Sequence, residues 1–177
     1  MSHAVIAVPA GLERRFASLA PAGLGLEVVT GGASRGESVA RGLDAVGSEL
    51  VAVHDAARPL ITPELIDAVC ARLFDHPEAA GVIAAAPITD TVKQVEGDAI
   101  VATEDRDRLW AAQTPQAFRT VALRDAHAGE PQAAATDDAM LVERTGGTVL
   151  IEPAPPENLK VTTAADLRVA EMLLARR

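Results

Sequence analysis

Leu50-Val51-Ala52-Val53-His54-Asp55-Ala56-Ala57-Arg58-Pro59 carries the strongest fold signal in the chain. Its first five residues are almost wholly apolar, and a short run of that kind is expected as a strand buried on both faces. An acid follows at once, then two small residues, an arginine and a proline. In an open α/β sheet, ligands bind just outside the carboxyl ends of the strands. Asp55 and Arg58 therefore stand where a carboxylate and a guanidinium meet a phosphorylated substrate or a metal ion. From these residues alone the plainer alternative is equally open: a turn carboxylate and a surface arginine.

Outward from this stretch, apolar runs alternate with amphipathic ones. Strands are expected at Ala4 to Val8, Leu26 to Val29, Gly81 to Pro87, Leu109 to Gln113, Thr148 to Ile151 and Leu159 to Val161. Helices are expected from Leu12 to Leu19, from Arg35 to about Val46 behind a Ser34 cap, and after Thr62-Pro63 as N-cap and first helical residue. Further helices follow Thr120 and Thr136-Asp137, and Thr163 with Asp166 reads as a capping box for the last one. On that last helix Leu167, Ala170, Leu173 and Leu174 are expected to face the core. Thr91 to Val95 and Ala99 to Thr103, around Glu96-Gly97-Asp98, read as a hairpin. Strands alternating with helices predict an α/β fold, three-layered and doubly wound around a mostly parallel sheet, with the hairpin projecting as an arm.

Composition narrows the function. The chain has 177 residues, 49% of them hydrophobic, enough for one well-packed domain. A net charge of −9 argues against nucleic-acid and anionic-membrane partners, both of which need a basic surface. Aromatics make up only 2%, too few for a base-stacking platform. One cysteine, Cys70, allows no intrachain disulfide and fits a reducing, cytoplasmic setting; inside a helix it reads as a small core residue. No apolar run reaches membrane-spanning length, and Met1 is not followed by a signal pattern.

Four places put polar groups at strand ends or helix starts. Gly31-Gly32 through Ser38 lets a ligand approach backbone closely, although most such pairs are only loops. Asp55 with Arg58 is the second. Arg106, with Thr91 and Thr114, offers a fork for a phosphate; spacing alone favours an arm arginine in solvent. Lys160, one of two lysines, lies in an apolar stretch and by itself reads as an outward edge residue. His54 reads as a hydrogen-bonded structural residue, and Asp137-Asp138 as a helix-start pair more than a metal site.

Taken together, His54-Asp55-Ala56-Ala57-Arg58-Pro59, Asp90-Thr91-Val92-Lys93, Thr114-Pro115-Gln116, Thr136-Asp137-Asp138-Ala139 and Leu159-Lys160-Val161-Thr162 occur in one order, preceded by Gly31-Gly32-Ala33-Ser34-Arg35-Gly36-Glu37-Ser38. In that order the chain resembles the 2-C-methyl-D-erythritol 4-phosphate cytidylyltransferase family, from about Ala4 to the C-terminus. The resemblance implies a nucleotidyltransferase-type, Rossmann-like fold, and homodimers that exchange β-arms, here residues 88–106. It implies cytidylyl transfer from CTP to methylerythritol phosphate in non-mevalonate isoprenoid biosynthesis, with Mg²⁺ as cofactor. Gly32 and Ser38 would contact the cytosine, and Gly31 and Ala33 would border the nucleotide with them, Ala33 standing where the family usually has Asp. Asp55 and Ala56 would also border the nucleotide, and Asp55 is the one metal-ligand candidate. Arg58, Thr91, Arg106 and Thr114 would bind the sugar phosphate, and Asp55, Lys160 and Arg106 would serve the reaction itself.

One departure concerns the family's opening Gly-rich loop, which cradles the triphosphate. Val8-Pro9-Ala10-Gly11-Leu12-Glu13-Arg14-Arg15 is superficially similar, but no lysine precedes Lys93 and Gly11 lies too close to Gly31. The expectation is a chain shortened at its N-terminus, lacking a central strand and leaving apolar surface and unpaired edges beside the site. Alternatives are a related enzyme acting on ribitol phosphate, or a non-catalytic dimerising form. A fused cyclase is not expected, the chain ending at Arg177 just after the last helix.

Overall fold

The computed structural model describes residues 3–19, 21–129 and 135–176. Met1 and Arg177, which entered the reading of the termini, lie outside the described residues. The first apolar run forms β1 (His3–Val8), followed by a short α1 (Glu13–Ala17) and by β2 (Gly25–Thr30), which runs parallel to β1 with Val8 opposite Thr30. The Ser34 side chain accepts a hydrogen bond from Glu37 N and opens α2 (Arg35–Leu43). The stretch from Leu50 forms β3 (Leu50–Val53), and Thr62 caps α3 (Pro63–Asp75) with proline in the first turn. Then come β4 (Gly81–Pro87), the hairpin of β5 (Lys93–Glu96) and β6 (Ala99–Thr103), and β7 (Trp110–Arg119). The chain continues through α4 (Thr120–Gly129), α5 (Asp138–Arg144), β8 (Val149–Pro153) and α6 (Ala164–Leu174).

Four strands form a sheet in the order β3-β7-β4-β8. β4 and β8 are parallel, while β7 runs antiparallel to both its neighbours, so the sheet is mixed around a shared direction of β3, β4 and β8. Side chains alternate between its faces. Val82, Ala84 and Ala117 pack on one side against Leu65, Val69 and Leu73 of α3, with Cys70 at the margin. Ile83 and Phe118 pack on the other against Leu123 and Ala126 of α4 and Leu141 and Val142 of α5. This is the expected three-layer α/β arrangement. Full burial of side chains such as Leu73, Leu123 and Phe118 contributes about 1.5–3 kcal/mol each.

β1 and β2 form a separate two-stranded sheet. β1 has β2 as its only partner and β3 has only β7, so each keeps one unpaired edge among the described residues. Gly31 N extends the β1–β2 pairing by donating to Val8 O at 2.7 Å, and the two sheets meet at their strand ends, where Arg35, the first residue of α2, reaches Asp55, just beyond β3. The expected unpaired edges beside the site are therefore present.

Three expectations need correction. Leu159 to Val161 is not a strand; it is an irregular loop held by one main-chain bond, Val161 N to Ala57 O at 2.7 Å. The strand expected at Leu109 to Gln113 runs on through Thr114-Pro115-Gln116 to Arg119, because its second half is the buried partner of both β3 and β4. On α6 only Ala170 is buried; Leu167 and Leu174 are exposed, since none of the described residues covers that face. The hairpin forms as read, with Gly97 at φ +62° in the first central position of its two-residue turn, where an L side chain would be strained.

Candidate active site

The turn after β3 is fixed by a directional chain of hydrogen bonds. Asp55 N donates to Thr114 Oγ1 at 3.0 Å, and Thr114 Oγ1 lies 3.0 Å from His54 Nδ1. His54 Nε2 lies 3.1 Å from Arg58 O. A carbonyl only accepts, so Nε2 carries a proton; in the neutral imidazole Nδ1 then accepts from the threonine hydroxyl. Desolvation lowers the His54 pKa in keeping with that. His54 is the structural residue expected, and Thr114, at the cavity wall, has its proton committed to the turn. Arg58 N closes the turn on Asp55 O at 2.9 Å.

The same turn gathers charge. Asp55 Oδ1 accepts from Arg35 Nε and Oδ2 from Lys160 Nζ, each at 3.0 Å. Burial by itself would raise the Asp55 pKa; the hydrogen bonds from Lys160 and Arg35 outweigh it and hold the carboxyl below its ordinary range. Arg58 donates through NH1 to Asn158 O at 2.8 Å, which ties the Lys160 loop to the turn a second time. Burial lowers the Arg58 pKa and the Asp55 charge offsets part of that. Arg35 extends the network inward: its NH1 donates to Asp138 Oδ2 at 2.7 Å, and Asp138 Oδ1 accepts from His127 Nε2 at 2.9 Å. Burial alone would lower the Arg35 pKa, but Asp138 and then Asp55 outweigh it and the pKa is raised.

Arg35, Asp55, Arg58, Thr114, Gln116 and Lys160 line a cavity of about 280 Å³ at the strand ends. Four expected residues, Asp55, Arg58, Thr114 and Lys160, thus converge. The others do not line this cavity. Ala56 is exposed on the turn. Gly31, Gly32, Ala33 and Ser38 form their own loop, joined to the cavity through Arg35. The Ser38 hydroxyl accepts from Gly32 N at 3.0 Å and donates to Ser34 O at 2.9 Å, while Glu37 takes Ala33 N at 2.8 Å. A Cβ at Gly32 would stand 2.2 Å from Glu37 Cβ, so glycine is required by this close approach. Thr91 and Arg106 are exposed on the arm side, where Arg106 NH1 donates to Thr89 O.

Sequence reasoning misses Arg35 and Asp138 as site residues. A signal for Arg35 exists: a cation in the first turn of a helix opposes the helix dipole and needs a reason to be there. Asp138 reads in sequence only as half of a helix-start pair; Asp137 is indeed the cap, accepting from Met140 N, whereas Asp138 turns inward.

The donor set does not make a resident magnesium site. Both Asp55 oxygens are held by cationic side chains, and Asp137 is held by Met140 N and by Gln116 Nε2. Among the described residues no group of three ligating side chains comes together.

Fixed cations around a small cavity at the strand ends supply positioning and charge, the two things phosphoryl-type transfer needs most. The fold and this cavity define a nucleotidyltransferase-type domain, and comparison with known proteins agrees. The sequence pattern described as IspD: 2-C-methyl-D-erythritol 4-phosphate cytidylyltransferase matches residues 1–176. A protein of that name from Frankia casuarinae is 48% identical over 99% of this chain, which spans 65% of the relative's length. One from Parasynechococcus marenigrum is 48% identical over 84% of this chain and 67% of its own. The crystal structure of the cytidylyltransferase from Thermus thermophilus superposes with a TM-score of 0.79 at 36% identity, covering 98% of this chain and 82% of that one. The 4-diphosphocytidyl-2C-methyl-D-erythritol synthase from Anaerococcus prevotii gives a TM-score of 0.87 at 28% identity, covering 99% and 82%. The chain belongs to the 2-C-methyl-D-erythritol 4-phosphate cytidylyltransferase family.

Proposed function

We propose that this chain carries the sugar-phosphate half of a cytidylyltransferase site, for transfer of a cytidylyl group from CTP to 2-C-methyl-D-erythritol 4-phosphate in the cytoplasm. The observation that carries this reading is the convergence of Arg58, Lys160 and Arg35 around Asp55 in one cavity. In the reaction a phosphate oxygen of the sugar attacks the α-phosphorus in line. A new P–O bond forms as the bond to the bridging oxygen breaks, and pyrophosphate leaves with the electron pair. Arg58 and Lys160 offset the charge that gathers on the phosphate oxygens, and Asp55 holds Lys160 in place. The cytosine lies against the Gly31–Ala33 loop, whose shape Ser38 fixes. Mg²⁺ belongs to this reading only as a companion of the CTP phosphates, and no step is assigned to it.

The arm completes the proposal. Thr91 and Arg106 serve the cavity of a second copy, exchanged through a homodimer. Support comes from their position away from their own cavity and from the apolar side chains Val95, Ile100 and Val101 that the hairpin leaves exposed. A second reading, a dimerising form without turnover, is favoured by the unpaired edges of β1 and β3.

The test is pyrophosphate release from CTP, methylerythritol phosphate and Mg²⁺, measured for this chain and for one extended upstream. Turnover by the extended chain that falls at least about a hundredfold in Lys160→Met is expected, the order lost with one transition-state donor. If the extension leaves activity undetectable, or if it is equally active with ribitol phosphate, the reading fails.

A further inference from the structure

Arg35 is the hub of the network, and its own support is the unexplained part. Asp138 is wholly buried and His127 nearly so, at 0% and 8% exposure. A carboxylate in that setting is costly to desolvate, and if packing were all that mattered an apolar side chain would serve as well. Its two oxygens are divided between His127 Nε2 and Arg35 NH1. Arg35 in turn gives Nε to Asp55, so its planar fork is fixed at two of three nitrogens. NH2 is its one nitrogen without a hydrogen-bond partner among the described residues, and Arg35 lines both the main cavity and an adjoining one of about 100 Å³. A guanidinium held in this way keeps an open edge in a preset orientation, the geometry that suits a phosphate. Asp55 offsets part of the charge of Arg35 and Lys160, and Arg58 adds a third cation beside them.

We propose that Arg35 is a phosphate-binding residue of this cavity, and that the buried Asp138–His127 pair is a positioning element that acts through it. The inference rests on the cytidylyl-transfer reading of the same cavity but concerns a separate contact. The phosphate belongs either to the nucleotide side, represented by inorganic pyrophosphate, or to the sugar phosphate, and the two probes separate these sources.

The experiment is calorimetric titration of this chain with inorganic pyrophosphate and, separately, with methylerythritol phosphate. It uses the wild type, Arg35→Met, Asp138→Asn and the double variant, each first checked for cooperative unfolding. Arg35→Met is expected to weaken at least one probe by about tenfold or more, the order of a lost charge-assisted hydrogen bond. Asp138→Asn is expected to weaken the same probe several-fold in the wild-type background and to change nothing further once Arg35 is Met. That non-additivity separates positioning from a general loss of structure. Unchanged affinity in Arg35→Met, equal losses from Asp138→Asn in both backgrounds, or binding of neither probe by the wild type each overturns the inference. Arg35-dependent binding of pyrophosphate with no binding of methylerythritol phosphate leaves the inference standing and removes the proposed substrate instead.

Discussion

Val5-Ile6-Ala7 and Val82-Ile83-Ala84 are the same tripeptide in two strands with different fates. In β4, Val82 and Ala84 are fully buried and Ile83 is nearly so; in β1, Val5 and Ile6 are half-buried and Ala7 is exposed. Local preference cannot account for this, because the residues are identical. The neighbours do: β4 has β7 on one side, β8 on the other and helices on both faces, whereas among the described residues β1 has β2 alone beside it in its sheet. The comparison teaches that apolar sequence specifies a strand, while partners decide how much that strand stabilises. It also separates the site into a well-supported half, the turn after β3 against β7, and a less supported one, the Gly31–Ser38 loop at the end of β2.

Matched substitutions test the difference most strongly. Ile83→Ala should cost about 3 kcal/mol and Ile6→Ala about 1 kcal/mol by urea denaturation, since only the first empties a closed core. Equal losses would break the comparison. The arm is a third region, with apolar side chains exposed as in β1 but on a hairpin. Ile100→Lys should convert a dimer to a monomer in sedimentation while still unfolding cooperatively; a variant that remains dimeric removes the exchange proposal.

The smallest effect concerns α6, whose Leu167 and Leu174 stay exposed. Asp166 accepts from Thr162 N, Thr162 Oγ1 and Thr163 N, and its pKa is lowered from 3.8 to about 2 by these bonds. A depressed carboxylate stabilises the folded state above its unfolded pKa and ceases to as pH falls through the folded one. The capping box should therefore weaken between about pH 4 and pH 2, seen as a fall in far-ultraviolet helicity that Asp166→Asn shows already at neutral pH.

Much of this is legible in sequence because it is local. Ser34, Thr62, Asp137 and Thr163 cap the helices expected of them, and Gly97 turns the hairpin where expected. Asp55, Arg58, Thr114 and Lys160 converge because their motifs sit beside strand ends. What stays hidden depends on distant partners. Lys160 reads as an edge residue until the loop from Asn158 docks on the turn. Arg35 and Asp138 are 103 positions apart and meet only once α2 and α5 are packed. The exposed apolar side of α6 has the same cause as half-buried β1, a face for which these residues provide no cover.

The sugar phosphate is proposed to sit on the four-stranded half, at the turn after β3. Hydrogen exchange of the backbone amides, with and without methylerythritol phosphate, tests it most directly. The ligand is expected to slow exchange at Asp55 to Arg58 and at the Lys160 loop and to leave Val5 to Val8 unchanged. Protection that arises in β1, or none at the turn, would contradict it.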